Sequence, residues 1–147
     1  MTVLVIADDE GLVRRMPVAS AEVLISCGDL YGQTILRAAD RCGARHILAV
    51  KGNHDSGAPF PEPIVDLRVR THTIHSVVFG GFGGSWKYKP RGHHLFEQRE
   101  VDEALAELPR VDVFVAHNFP RLVHDREDEV HFGFGALIRD SVIPELE

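Results

Sequence analysis

A chain of 147 residues that is 44% hydrophobic and 26% charged has the length and composition of one globular domain with a sizeable core. Sixteen Lys and Arg against 22 Asp and Glu give a formal net charge of −6, which argues against an extended nucleic-acid-binding surface. No window approaches the ~20 apolar residues of a membrane span, and the first residues lack a basic leader, so a cytoplasmic protein without membrane contact is expected.

Short runs rich in Val and Ile predict strands that are buried on both faces. The four runs are Val3–Ala7, Val23–Cys27, Ile47–Val50 and Val111–Ala116. Between the second and the third, Gln33–Cys42 has the apolar spacing of a helix, and Gly43 is a plausible stop. Strand, helix and strand in this order predict a parallel βαβ unit, and therefore an α/β fold in a single domain spanning residues 1–147.

The remaining elements are predicted from shorter patterns. Residues 65–69 alternate apolar and polar side chains as in a half-buried strand, which is expected to pair with residues 72–79 as a hairpin. Helices are predicted for Arg99–Leu108 and for Ala136–Val142, because each carries an apolar face and is followed by a proline.

Polar side chains follow every buried run, at the point where each predicted strand ends. In chain order they are Asp8, Asp9 and Glu10, then Asp29, then Asn53, His54 and Asp55, and finally His117 and Asn118. In open α/β sheets such groups gather outside the carboxyl ends of the strands. If the four strands are parallel neighbours, five of these residues are therefore expected to converge on one edge: Asp8, Glu10, Asp29, Asn53 and His117. Carboxylates without Lys or Arg among them repel one another unless a cation lies between them. Together with an amide and an imidazole they suit Mn²⁺, Fe²⁺, Zn²⁺ or Mg²⁺.

The same residues suit phosphoryl chemistry. One Asp that reaches two ions makes a two-metal site, with the ions ~3.5–4 Å apart and a hydroxide held for in-line attack at phosphorus. His54 follows Asn53 directly and is predicted to donate a proton to the leaving oxygen. Asp55 is predicted to hold that imidazole protonated and oriented.

The ordered motifs resemble those of the calcineurin-like metallophosphoesterases: an Asp-x-Glu after the first strand, GD after the second, GNHD after the third and AH after the fourth. The segments SCGDL (26–30), GGSWKY (83–88) and HFGFGAL (131–137) are similar to a bacterial and archaeal branch of this superfamily. In that branch a Glu takes the place of the His in the first motif, as Glu10 does here. The resemblance implies an α/β/β/α sandwich that holds two divalent metal ions.

The resemblance also implies a role for each matching residue. The implied ligands are Asp8 and Glu10 for the first metal, Asp29 as the bridge, and Asn53 and His117 for the second. His54 is the implied acid in contact with the phosphate, and manganese is favoured over iron, zinc and magnesium. The expected reaction is hydrolysis of a small phosphodiester or phosphomonoester by a hydroxide that bridges the metals.

Three further residues are weaker candidates for contact with the substrate. Ser85 and Lys87 follow a glycine-rich stretch that lacks the spacing of a phosphate-binding loop and also fits a tight turn. His131 lies in the HFGFGAL segment, where a structural role is the first interpretation and a substrate contact the second.

The sequence departs from the family at its end. No GHxH motif occurs, although the two histidines of that motif each bind a metal in family members, so a C-terminally shortened sandwich is expected. Two alternatives to an active single chain therefore stay open. One is a catalytically impaired scaffold or binding protein on the same fold, because a missing strand leaves a sheet edge uncovered. The other is a homo-oligomer in which a second chain supplies His93, His94 or His131 to the site.

Overall fold

The computed structural model describes residues 1–17, 19–123, 126, 128 and 131–138, which form a mixed α/β fold. The strands are β1 (Val3–Ile6), β2 (Val23–Ser26), β3 (His46–Ala49), β4 (Val65–Asp66), β5 (Thr71–Ile74), β6 (Val77–Phe82), β7 (Ser85–Trp86), β8 (Leu95–Phe96) and β9 (Val113–Ala116). The helices are α1 (Leu12–Arg15), α2 (Gly32–Cys42) and α3 (Gln98–Ala106), and a 3-10 turn covers Gly135–Ile138. Within the described ranges, no helix is both long and apolar enough to cross a membrane.

The first sheet has four parallel strands in the order β1-β2-β3-β4. The predicted βαβ unit is confirmed by β2, α2 and β3. The helix α2 ends at Cys42 because Gly43 takes the left-handed conformation with φ of 69°, which suits a residue without a Cβ. The N–H of Gly43 donates to the carbonyl oxygens of Ala39 and Asp40 and so satisfies groups that the helix end leaves open.

The second sheet has the order β5-β6-β9 and differs from the expected hairpin. The antiparallel pair is formed by β5 and β6, and residues 65–66 instead join the first sheet beside β3. The predicted pairing of residues 65–69 with residues 72–79 is therefore wrong. The chain turns at Val69, whose φ is 53°, and the hairpin closes at His75, whose φ is 55°. The alternation of apolar residues over 65–69 continued up to the turn at Val69 and did not show that the chain changes sheet there.

The helices α2 and α3 differ from the predicted helices only at their ends. The last predicted helix differs in the type of structure that is found. The helix α3 begins one residue before the predicted start, because Glu97 and Glu100 form a reciprocal capping box. For the predicted helix Ala136–Val142, the structure has a 3-10 turn over Gly135–Ile138. Residues 139–142 lie outside the described part of the chain.

The buried side chains form three clusters that follow the alternation of the strands. On one face of the first sheet, Leu24 and Ile47 pack against Ile35 of α2. The opposite face of that sheet contacts the second sheet through residues of both: Val23, Ile25, Leu48, Val50, Ile74, Phe79 and Val115. The third cluster joins α3 to Phe82 of the second sheet and to the 3-10 turn. Since buried strands contribute to both faces, the ends of the strands are held firmly in place.

Candidate metal and phosphate site

Four loops at the carboxyl ends of strands bring polar groups together. Three of them follow β1, β2 and β3, which are neighbours in the first sheet. The fourth strand, β9, is not a neighbour of these three, because it pairs with β6 in the second sheet. Its loop still reaches the same edge, since Nδ1 of His117 donates to the carbonyl oxygen of Cys27 at 2.8 Å. The predicted convergence therefore occurs across the gap between two sheets.

The centre of this site contains Asp8, Asp29 and His117. One nitrogen or oxygen atom of each lies within 4.8 Å of the others. The side chain of Asp29 is 10% exposed and that of His117 is 12% exposed, so both are largely removed from water. They line a cleft of about 330 Å³. The residues lining the cleft are Asp8, Asp29, Asn53, His54, Ser85, Tyr88, His117, Asn118, Phe119 and His131.

His117 presents a lone pair to this cluster when its ring is neutral. The carbonyl oxygen of Cys27 is only able to accept a hydrogen bond, so Nδ1 carries the proton. Nε2 then faces Oδ1 of Asn53 at 3.1 Å and Oδ2 of Asp29 at 3.5 Å, which are acceptors as well. With the ring in this neutral form, three acceptor atoms from three loops face one another, an arrangement that fits a cation. Their nitrogen and oxygen atoms suit Mn²⁺, Fe²⁺ or Zn²⁺.

The backbone at both carboxylates is strained. Asp8 has a φ of 63° and Asp29 a φ of 55°, so two residues with side chains take the left-handed conformation. This conformation costs about 1–2 kcal/mol for such a residue. The N–H of Asp8 donates to the carbonyl oxygen of Gly28 at 3.2 Å, which helps to hold the first of them. Strain of this kind is typical of functional sites.

Asp55 connects two of the loops. Its buried carboxylate accepts hydrogen bonds through Oδ2 from the N–H of Asp29 at 2.9 Å and from the N–H of Gly52 at 2.7 Å. These bonds hold the loops in register, whereas the sequence had suggested that Asp55 orients the imidazole of His54. His54 is itself exposed and lines the cleft, and its N–H donates to Oδ1 of Asp29 at 2.8 Å. Both residues thus fix the position of Asp29.

Glu10 does not lie with the other predicted ligands. Its Oε1 accepts from the N–H of Tyr31, and its Oε2 accepts from the hydroxyl of Thr34 at 2.5 Å. Tyr31 is the N-cap residue that directly precedes α2, so Glu10 satisfies an open backbone N–H at the positive end of that helix. The carboxylate therefore acts as a helix cap in this structure.

We expect Glu10→Ala to lower the free energy of unfolding by about 1 kcal/mol, because a helix cap is lost. We also expect the affinity for Mn²⁺ to change less than twofold. Urea unfolding and calorimetric titration measure the two quantities, and Asp9→Ala is a matched control that removes a neighbouring carboxylate. A loss of affinity of tenfold or more for Glu10→Ala alone would instead assign Glu10 to the metal.

The three predicted substrate residues have different positions. Ser85 is buried and lines the cleft. His131 also lines it, and its Nδ1 lies 2.9 Å from a carboxylate oxygen of Asp128. Lys87 lies outside the cleft, where its Nζ is 3.5 Å from a carboxylate oxygen of Glu97. Only the first two are therefore placed to contact a ligand.

The cleft contains three residues that sequence reasoning had not assigned to it: Tyr88, Asn118 and Phe119. Tyr88 ends the GGSWKY segment, whose glycines allow a close approach to the GNHD loop. The N–H of Gly84 donates to the carbonyl oxygen of Lys51 at 2.6 Å, and a Cβ at Gly83 would lie 2.8 Å from the nitrogen of Lys51. The glycines of this segment were the available signal, since they mark places where two backbones meet.

Cys27 is next to the site but does not compete for a cation. Burial raises the pKa of its thiol, and the negative charge of Asp8 raises it further. The thiol therefore stays protonated at neutral pH, whereas a metal ligand has to be a thiolate. This agrees with the carboxylate, amide and imidazole character of the cluster.

Comparison with known proteins does not identify the chain. No protein-family model matches it, and no curated protein matches it at a significant level. The chemistry of the site therefore follows from its own atoms. Two carboxylates on a left-handed backbone, a histidine that donates through Nδ1, an amide oxygen and an exposed imidazole share one cleft.

Proposed function

We propose that this chain is a metal-dependent phosphoesterase acting on a small phosphodiester or phosphomonoester. The observation that carries the proposal is the convergence of oxygen and nitrogen atoms from Asp8, Asp29, Asn53 and His117. They meet beside the exposed imidazole of His54 in a cleft of about 330 Å³, which suits a small ester better than a polymer. The net charge of −6 agrees with a small substrate whose charge is neutralised locally.

The fold proposed with this function is the α/β/β/α sandwich of the calcineurin-like metallophosphoesterases. The support for this fold is the order in which three buried clusters join the layers of helices and sheets. The first contains α2 and the first sheet, the second contains both sheets, and the third contains the second sheet and α3. The ordered motifs at the ends of β1, β2, β3 and β9 are the further support.

The residues proposed to hold two divalent cations, with Mn²⁺ favoured, are Asp8, Asp29, Asn53 and His117. Bound cations supply Lewis acidity at the phosphoryl oxygens and lower the pKa of water. The chain itself positions the ligands. The N–H of His54 occupies Oδ1 of Asp29, which leaves Oδ2 directed at the cluster. The imidazole of His54 then holds a proton for the oxygen of the leaving group, and Ser85 lies close enough to line the same space.

Hydrolysis of bis-(p-nitrophenyl) phosphate tests the proposal directly. The dialysed protein is expected to release p-nitrophenolate after addition of Mn²⁺ and to stop when a chelator is added. The variant Asp29→Asn, prepared in the same way, controls for contaminating enzymes and is expected to be inactive. Absence of hydrolysis with Mn²⁺, Fe²⁺, Zn²⁺ and Mg²⁺, by a folded protein, would overturn the proposal.

The role of His54 predicts an effect that depends on the leaving group. We expect His54→Ala to lower kcat/KM at least about 100-fold for a phenyl phosphodiester, because phenolate leaves poorly without a proton. The loss for the p-nitrophenyl ester should be much smaller, since nitrophenolate is a stable anion. His93→Ala, which changes an exposed histidine outside the cleft, is the control. Equal losses for both esters would exclude His54 as the acid.

A second candidate, a scaffold or binding protein on the same fold, is favoured by one observation. Among the residues that the structure describes, β1 is one edge strand of the first sheet and β9 is one edge strand of the second, and an apolar groove lies between them. Val5, Ile25 and Val115 line this groove, and Val5 is 58% exposed. Elemental analysis after dialysis separates the candidates. Two tightly held metal ions per chain would contradict a purely structural role. A chain that retains no metal ion would contradict the phosphoesterase proposal.

A further inference from the structure

Asn53 can serve as a metal ligand in only one of two orientations of its carboxamide. Oδ1 is an acceptor, whereas Nδ2 carries two hydrogens and would repel a cation. The two orientations have nearly the same shape, so packing alone does not select between them. A second group that accepts a hydrogen bond from the nitrogen end therefore stabilises the orientation in which Oδ1 faces a cation.

Tyr88 is placed to do this. Nδ2 of Asn53 donates to the phenolic oxygen of Tyr88 at 3.3 Å. At the other end of the amide, Oδ1 faces Nε2 of His117 at 3.1 Å. Both Asn53 and Tyr88 line the cleft and are partly buried.

The segment that carries Tyr88 is fixed to the loop that carries Asn53. The N–H of Tyr88 donates to the carbonyl oxygen of Trp86 at 2.9 Å, and Trp86 belongs to β7. Earlier in the same segment, the N–H of Gly84 donates to the carbonyl oxygen of Lys51 at 2.6 Å. The phenol and the amide are thus held on two segments that are hydrogen-bonded to each other close to the site.

The geometry points to Tyr88 as a positioning residue that holds Oδ1 of Asn53 toward the cation. This inference rests on the proposed function, since it requires that a metal binds at the cluster. It assigns a role to a residue of the GGSWKY segment for which neither composition nor spacing had indicated one. Partners that orient a ligand in this way typically contribute a factor of about 10–100 to metal affinity.

The test is a calorimetric titration of the dialysed full-length chain with Mn²⁺. We expect Tyr88→Phe to weaken binding about tenfold while saturating Mn²⁺ restores kcat for bis-(p-nitrophenyl) phosphate. The ring stays in place, so the thermal unfolding of the metal-free chain should be unchanged. Tyr31→Phe is the matched control, because Tyr31 is the only other tyrosine and its side chain is exposed.

A double-mutant cycle with Asn53→Ala shows whether the effect passes through the amide. In that background, Tyr88→Phe is expected to leave the Mn²⁺ affinity unchanged, because no carboxamide remains to be oriented. Unchanged affinity of the single variant, or a rise in KM alone, would overturn the inference and leave the phosphoesterase proposal intact. Failure of the unsubstituted chain to bind Mn²⁺ would instead overturn both.

Discussion

Asp29→Asn is expected to weaken Mn²⁺ binding at least about 100-fold, which corresponds to roughly 2.7 kcal/mol. The substitution keeps the shape of the side chain, and Oδ1 can still accept from the N–H of His54. It replaces Oδ2, 3.5 Å from Nε2 of His117, by a nitrogen that donates to that lone pair. The metal-free variant should therefore unfold at the same temperature as the parent chain or higher. Thermal unfolding with and without Mn²⁺ measures both effects, because a bound ligand raises Tm.

Asp9→Asn is the matched control for this experiment. It removes one negative charge near the site, but the Asp9 carboxylate pairs with Arg15 and accepts from the N–H of Gly11 at 2.8 Å instead of joining the cluster. We expect its Mn²⁺-dependent rise in Tm to match that of the parent chain. If Asp29→Asn showed the same rise as this control, the cluster would not be the metal site.

Gly28→Ala is expected to be among the most destabilising single substitutions in the chain. Gly28 has a φ of 107°, and a Cβ there would lie 2.5 Å from the nitrogen of Gly52 and 2.8 Å from Nδ1 of His117. The conformation costs about 1–2 kcal/mol for alanine, and overpacking costs about 1–3 kcal/mol. We therefore expect the free energy of unfolding to fall by about 2–5 kcal/mol in urea titrations.

Gly135→Ala serves as the control for this prediction. Within the described part of the chain, its added Cβ would meet Oε1 of Gln98 at 3.6 Å, which is an ordinary contact. We expect its free energy of unfolding to change by less than about 1 kcal/mol. Similar values for the two variants would show that the loop after β2 moves to make room, and the close approach to Gly52 and His117 would then have no structural consequence.

The helices and strands could be predicted from the sequence where neighbouring residues determine the local structure. Gln33–Cys42 could be recognised as a helix because its apolar spacing and Gly43 agree, and the strands β1, β2, β3 and β9 because their Val-rich runs are short and bounded. The hairpin was not predictable in its correct register. Val69 takes a left-handed conformation that a β-branched residue disfavours, so its sequence gives no signal for the turn there.

The candidate site was predictable as a set of strand ends but not in its detailed contacts. That His117 would reach Asp29 from a different sheet depends on how two sheets pack, which no local pattern encodes. Glu10 was expected with the ligands because it is two residues from Asp8. This spacing does not show that the start of α2 lies within reach of Glu10, where the N–H of Tyr31 and the hydroxyl of Thr34 donate to its carboxylate.

The carboxylate of Asp55 has a thermodynamic consequence for ligand entry. It joins the N–H groups of Asp29 and Gly52 through hydrogen bonds that need no cation, so we expect folding itself to order the loops after β2 and β3. Ordering a residue's backbone costs about 1–2 kcal/mol in entropy, and most of that cost falls on folding here and not on binding. Metal uptake should accordingly proceed with a small change in heat capacity, as filling of a preformed site does.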